Sequence, residues 1–173
     1  MISHNEGSGF LPEKYEVPSS GGNYLKLREG ANKIRILSSP VLGWVRWIDT
    51  PDGRRPARSP FDQKPSAAEL KHCWLLTIWD YQTSSVAVAE FTQTCIQEGL
   101  RDLARNPAWG SPTGFDLSIK RKGIGMDTRY SLLPAPKADL PKDVRAVIDA
   151  TPVHLEVLFE NGNPFEATQS ATD

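Results

Sequence analysis

The sequence predicts a mainly β protein: a five-stranded barrel with one helix between strands 3 and 4, an irregular N-terminal arm and an acidic C-terminal tail. Three observations carry this. Several stretches alternate apolar and polar residues with a period of two, the pattern of strands with one buried face. The best helical periodicity falls in one place, Thr92 to Arg105, with strands on either side. Gly, Pro and Ser clusters separate these stretches at short intervals.

A length of 173 residues sets one domain with tails. No apolar run approaches the roughly 20 residues of a membrane span, and the polar N-terminus does not read as a signal peptide. The expectation is a cytoplasmic protein without a membrane partner. The division predicted is an arm over 1–23, a barrel over 24–145, and a short helix with an acidic, partly disordered tail over 146–173.

Residues 1–23 are polar and broken by Gly7, Gly9, Pro12, Pro18, Gly21 and Gly22. Tyr24 to Leu27 is a candidate short strand ending near Gly30. Lys33 to Leu37 alternates, with Ile34 and Ile36 on one face and Arg35 on the other. Ser38-Ser39-Pro40 interrupts the run and Leu42 to Asp49 resumes it, which reads as one long strand bent in the middle. Thr50 to Pro65 contains four prolines and a glycine and reads as an irregular loop made basic by Arg54, Arg55, Arg58 and Lys64. Lys71 to Asp80 and Ser85 to Glu90 form a hairpin around Tyr81–Ser84. In the helix, Ile96, Leu100, Leu103 and Ala104 share a face, Thr94 and Gln97 have capping-box spacing, and Pro107 stops it. Phe115 to Lys122 and Thr128 to Leu133 form a second hairpin. Leu140 to Ala150 is a weaker helix and His154 to Glu160 a short one.

The order strand, basic loop, strand, strand, helix, strand, strand is that of an oligonucleotide-binding (OB) fold, whose loops 1–2 and 4–5 flank the ligand face. Those loops correspond here to Thr50–Pro65 and the Gly123–Asp127 turn. The net charge of −1 conceals a matching asymmetry. Residues 24–65 carry +5 and residues 116–145 carry +3, whereas 146–173 carry −5. Both basic blocks therefore fall on the elements that bind ligand in such a barrel, which points to an anionic ligand.

Catalysis has weak support. Cys73 and Cys95 are far apart, and His4, His72 and His154 are scattered, so no metal or cofactor is expected. Asp80, Asp116 and Asp127 at strand ends suit a metal-dependent nuclease in principle, but Asp also belongs at turns for local reasons. Gly123-x-Gly125 lacks the phosphate-loop pattern and reads as a tight hairpin. No enzyme is predicted.

The candidate binding residues are cations and aromatics. Lys120 and Lys122 point one way, while Arg121 continues the Leu117–Ile119 face. Arg129 faces away from Tyr130, whose own face is either core or ligand. Trp74 belongs with the core residues Leu76 and Ile78. Trp79 and neighbouring Tyr81 lie on a face open to either reading. Trp47, following Arg46 and entering the basic loop, is a better stacking candidate than Trp44. Trp109 reads as a plug under the barrel.

YLKLREGANKIRIL (24–37), GWVRW (43–47), RRPARS (54–59), the Trp79-Asp80 turn and WGSPTGFDLSIKRKGIGMDTRY (109–130) resemble single-stranded-DNA-binding proteins of tailed bacteriophages. The resemblance implies an OB-fold protein without enzymatic activity or cofactor, binding single strands regardless of sequence. It also implies an acidic C-terminus that recruits replication and recombination proteins, here around Glu160, Phe165 and Glu166. The expected function is therefore to coat and protect unwound DNA in phage replication, recombination and repair, destabilising duplex by mass action. The alternative is an OB-fold module for protein–protein assembly in a replisome or virion.

Overall fold

The computed structural model describes residues 23–166; the N-terminal arm before Asn23 and the end of the tail lie outside them. Seven strands form one open sheet: β1 (Gly30–Ile36), β2 (Val41–Thr50), β3 (Gly53–Pro60), β4 (Lys71–Asp80), β5 (Ser85–Phe91), β6 (Asp116–Lys122) and β7 (Arg129–Pro134). Every strand pair is antiparallel, in the order β3-β2-β4-β1-β6-β7, with β5 on the remaining edge of β4. Helix α1 (Thr94–Arg105) lies between β5 and β6, and α2 (Lys142–Asp149) follows β7.

Seven strands replace the expected five for two reasons. First, Ser38-Ser39-Pro40 splits the long strand into β1 and β2, and both halves pair with β4, Ile36 opposite Ile78 and Val41 opposite Leu75. Leu37 N–H donates to Thr77 O (2.9 Å) and Thr77 N–H donates to Ser38 Oγ (2.9 Å), so pairing continues across the break. Second, the segment expected to be an irregular loop contains β3, paired with β2 from Thr50–Gly53 to Gly43–Pro60. The prolines do not prevent this because β3 is an edge strand. Phe61 N–H donates to Leu42 O, so odd-numbered residues point their N–H groups at β2. Pro56 and Pro60 then occupy outward positions, where no ladder bond is lost.

Tyr24 to Leu27, expected as a strand, forms a single parallel bridge from Tyr24 to Val88. Leu25 N–H donates to Val88 O (2.8 Å) and Val88 N–H to Asn23 O (2.9 Å), which occupies the free edge of β5. Among the described residues no ladder joins β5 to β7, and Leu25 and Leu27 pack onto the core beside that opening.

The inner core gathers Ile34, Ile36, Leu76, Ile78, Phe91, Leu117 and Ile119 against Ile96 and Leu100 of α1. The predicted capping box does not form. Thr94 is already helical, the side chain of the cap residue Gln93 makes no capping bond and accepts instead from Thr92 N–H (3.2 Å), and Gln97 Nε2 donates to Phe91 O (2.7 Å) and His72 O (3.0 Å).

A second core covers the outer face of the sheet. Val45, Cys73, Leu75 and Val88 pack against Leu155 and Leu158 of a 3-10 helix, Leu155–Glu160, with Phe159 and Phe165 alongside. The C-terminal segment is thus part of the fold at least to Phe165.

Gly43 reports on this packing. A Cβ there would lie 2.7 Å from Ser59 O and 2.8 Å from Phe159 Cε1. Gly43→Ala should lower stability by about 1–3 kcal/mol in urea unfolding, the usual cost of overpacking. Wild-type stability in that variant would mean that Phe159 does not pack against β2.

Candidate nucleic-acid interface

Cross-strand partners share a face, so the register sorts the β2–β3 hairpin. Val45 faces Arg58, Trp47 faces Pro56 and Asp49 faces Arg54. Val45 belongs to the outer core, which places Trp47, Arg54 and Arg58 on the outer face; Lys71, opposite Val45 in β4, joins them. Trp47 is 56% exposed, a large area for an indole without a partner.

Trp47 stands between two clefts. One, of about 530 Å³, is lined by Tyr24, Lys26, Trp47, Pro56, Arg58 and Glu90. The other, of about 610 Å³, is lined by Trp47, Arg54, Glu69, Lys71 and Glu90. A third hollow shares Leu25 and Glu90 with the first and reaches Arg121 and Tyr130. All three share Glu90 and so adjoin one another, from Trp47 and Arg54 of the β2–β3 hairpin to Arg121 and Tyr130; this run of hollows is the candidate groove. Arg58 is part of its floor: its Nε lies 2.5 Å from Glu90 Oε2, and both side chains are largely buried. Beneath this pair, burial pushes the Cys73 thiol up to about 12, with the Glu90 carboxylate adding to the effect and Arg58 opposing it.

The other predicted residues divide among several places. Arg46 and Arg55 are exposed but lie on the opposite face of the hairpin, across from Ala57 and Ile48. Trp79 is 4% exposed and is corrected here from stacking candidate to buried residue. Its face of β4, shared with Cys73 and Leu75, is apolar, and the C-terminal segment covers that face at both of those residues. Trp74 packs on the inner core as expected, and Trp109 leans on Phe115 with ring centroids 5.8 Å apart.

Tyr81 is half-buried and already engaged. Its hydroxyl donates to Asp116 Oδ1 (2.7 Å), and Lys33 Nζ sits 4.4 Å from its ring centroid. Arg35 donates to the same carboxylate oxygen through Nε (2.9 Å), to Thr113 O through Nη1 (3.2 Å) and to Ala138 O through Nη2 (2.8 Å). Burial pushes the Tyr81 phenol up to about 12, helped by its hydrogen bond to Asp116 and by that group's charge. Burial also acts to raise the Asp116 carboxyl, but hydrogen bonds from Tyr81 and Arg35, with the charges of Arg35 and Lys33, hold it below its ordinary value.

On the β6–β7 hairpin, Arg121 pairs with Tyr130 on the core-facing side, as the alternation predicts for Arg121. Arg121 Nη1 donates to Leu27 O (3.0 Å), and its buried Nε has no hydrogen-bond partner among the described residues. Tyr130 packs on the inner core and also borders the groove. Lys120, Lys122 and Arg129 are exposed on the other face. The turn between them requires Gly123: φ is +100°, and a Cβ would lie 2.4 Å from Asp127 O. Phe165 packs on the outer core, between the exposed residues Glu160 and Glu166. Tyr24, Lys26 and Lys71 line the groove although nothing in their local sequence marks them.

Asp116→Asn should destabilise the protein by about 3 kcal/mol at pH 7, since it leaves the buried Arg35 without its counter-charge. A depressed carboxyl pKa contributes stability above its unfolded value of about 4, lost as pH falls through the folded value. The gap between variant and wild type should therefore narrow in urea unfolding below about pH 4. A gap independent of pH would rule out the ion pair as its cause.

Among the described residues no three His, Cys, Asp or Glu side chains are placed to hold a metal ion, and no helix is long and apolar enough to cross a membrane. No protein-family model, curated protein or solved structure matches the chain.

Proposed function

We propose that this chain is a sequence-independent single-stranded-DNA-binding protein that coats and protects unwound DNA in phage replication and recombination. The observation that carries the reading is the groove around Trp47, where an exposed indole stands beside Lys26, Arg54 and Lys71. A single strand needs what such a groove offers: a π-face for any base and cations for its phosphates. Duplex hides the base faces, so a protein gripping them favours the open strand.

The element order supports an OB-fold reading. Taking β1 and β2 as one bent strand leaves β4, β5, α1, β6 and β7 in the order of that barrel. The β2–β3 hairpin then replaces the loop after strand 1, and Gly123–Thr128 is the loop between strands 4 and 5. Arg54 would neutralise phosphate directly, while Arg58 holds Glu90 and shapes the floor. Lys120, Lys122 and Arg129 would guide the strand from the adjoining face of the barrel.

One observation favours the assembly-module reading: Ile124 and Met126, at the tip of the β6–β7 turn, are 87% and 101% exposed. Apolar side chains displayed this way suit a protein partner. The two readings separate in a titration of intrinsic tryptophan fluorescence with oligo-dT and with duplex. Coating predicts quenching by the single strand, weakening as salt rises. Trp47→Ala should cost about 1–3 kcal/mol of affinity. Arg54→Ala should reduce the salt slope by about 0.7, the share of one phosphate contact on a single strand. Absence of quenching by oligo-dT at low salt would leave the assembly module as the better reading.

A further inference from the structure

Arg46 and Arg55 point away from the groove, and the face they occupy has its own aromatic platform. Trp44 shares that face, opposite Ser59 in β3 and His72 in β4. The Trp44 and Phe61 rings stack with centroids 5.6 Å apart and planes within 8°. His72 tilts against both rings at 5.1 Å. Lys64 Nζ lies 4.5 Å from the Trp44 ring centroid.

The platform is held rigidly. Trp44 Nε1 donates to Phe61 O (3.0 Å), Phe61 N–H donates to Leu42 O (3.2 Å), and His72 Nδ1 donates to Gly43 O (2.8 Å). Phe61 remains 50% exposed although Trp44 stacks on it and His72 tilts against it. A ring already stacked and fixed offers its free face without a further ordering cost, and a nucleobase is a flat partner of the right size. Lys64 is exposed beside this platform, and Arg46 and Arg55 are exposed farther along the same face of the hairpin, a line of cations such as a bound phosphate backbone requires.

We infer that Phe61, backed by Trp44, is a second base-stacking site on the reverse face of the β2–β3 hairpin. It takes a downstream nucleotide of the same DNA strand that occupies the groove. The strand then passes around the β3 edge, with Trp47 gripping it on one face and Phe61 on the other. This inference rests on the single-strand-binding reading above.

The test uses a ~20-nucleotide oligo-dT, longer than many single-barrel sites, with the wild-type chain and the variants Phe61→Leu and Phe61→Tyr. Leucine keeps the apolar bulk and removes the π-face; tyrosine keeps both. Phe61→Leu should lose at least about fivefold in affinity while Phe61→Tyr stays near wild type. Phe61→Leu binding within about twofold of wild type would overturn the second site, because even a weak stack is worth more than that. If thermal melting shows Phe61→Leu unfolded, Arg46→Glu combined with Arg55→Glu decides, both side chains being exposed. That variant should bind several-fold more weakly, and wild-type affinity would overturn the inference. Wild-type protein that binds no oligo-dT sinks the underlying reading, a result distinct from a wild type that binds and a Phe61→Leu that matches it.

Discussion

The middle of strand β4 is mostly apolar on both faces, and most of the architecture follows from that constraint. Leu76 and Ile78 face inward while Cys73, Leu75 and Trp79 face outward, all of them buried. A sheet strand with one wet face needs a single covering layer; this one needs two. Helix α1 helps close the inner side, and the segment around Leu155 and Leu158 supplies the outer one. Each of those leucines contributes roughly 1.5–3 kcal/mol by burial. The consequence for ligands is geometric. With the middle of the outer face occupied by the chain itself, the open aromatic surface of that face lies at the β2–β3 end, where Trp47 stands beside Tyr24.

Three arginines counted among the basic residues are committed inside the protein. Arg35 binds Asp116, Arg58 binds Glu90, and Arg121 reaches Leu27 O. Buried pairs of this kind add little net stability once desolvation is counted, but breaking one is costly. Their visible effect is on register. A one-residue slip of β1 would turn Arg35 into the inner core and Ile34 and Ile36 out of it, so the pairing of β1 with β6 has one tolerable alignment. The cations left for a ligand are exposed ones, on the two hairpins and, at Lys26 and Lys71, beside the groove.

The period-two pattern made most of the sheet legible. Lys71–Asp80, Ser85–Glu90, Phe115–Lys122 and Thr128–Leu133 each emerge as strands within a residue or two. Arg121 reads two ways in the sequence, as a cation for the ligand and, by its parity with Leu117 and Ile119, as a continuation of the inward face; the register favours the parity. β3 was hidden, because proline is judged locally whereas its tolerance depends on which way each N–H points in the finished ladder. Trp79 was hidden for a related reason. Parity shows which side chains share a face, but not whether that face is covered: at Cys73 and Leu75 the cover is a segment some 80 residues downstream. The groove was half legible: Trp47 and Arg54 stood out, while Lys26 and Lys71 join them through long-range pairing alone.

The two faces of the β2–β3 hairpin are separately open because β2 runs past the end of its pairing with β4. β4 ends its pairing with β2 at Val45–Lys71, so Arg46–Thr50 pairs with β3 alone. The hairpin tip is thus a two-stranded ribbon beyond the sheet, wet on both sides. Such ribbons are marginal by themselves. This one is braced at its base, by the Trp44–Phe61–His72 cluster on one face and by Arg58–Glu90 on the other. Nothing in the core constrains Arg46, Trp47, Arg54 or Arg55, and solubility alone does not call for an exposed indole among three exposed arginines. A ribbon braced at its root and charged on both faces suits a flexible polyanion, which can bend around an edge as a rigid duplex cannot.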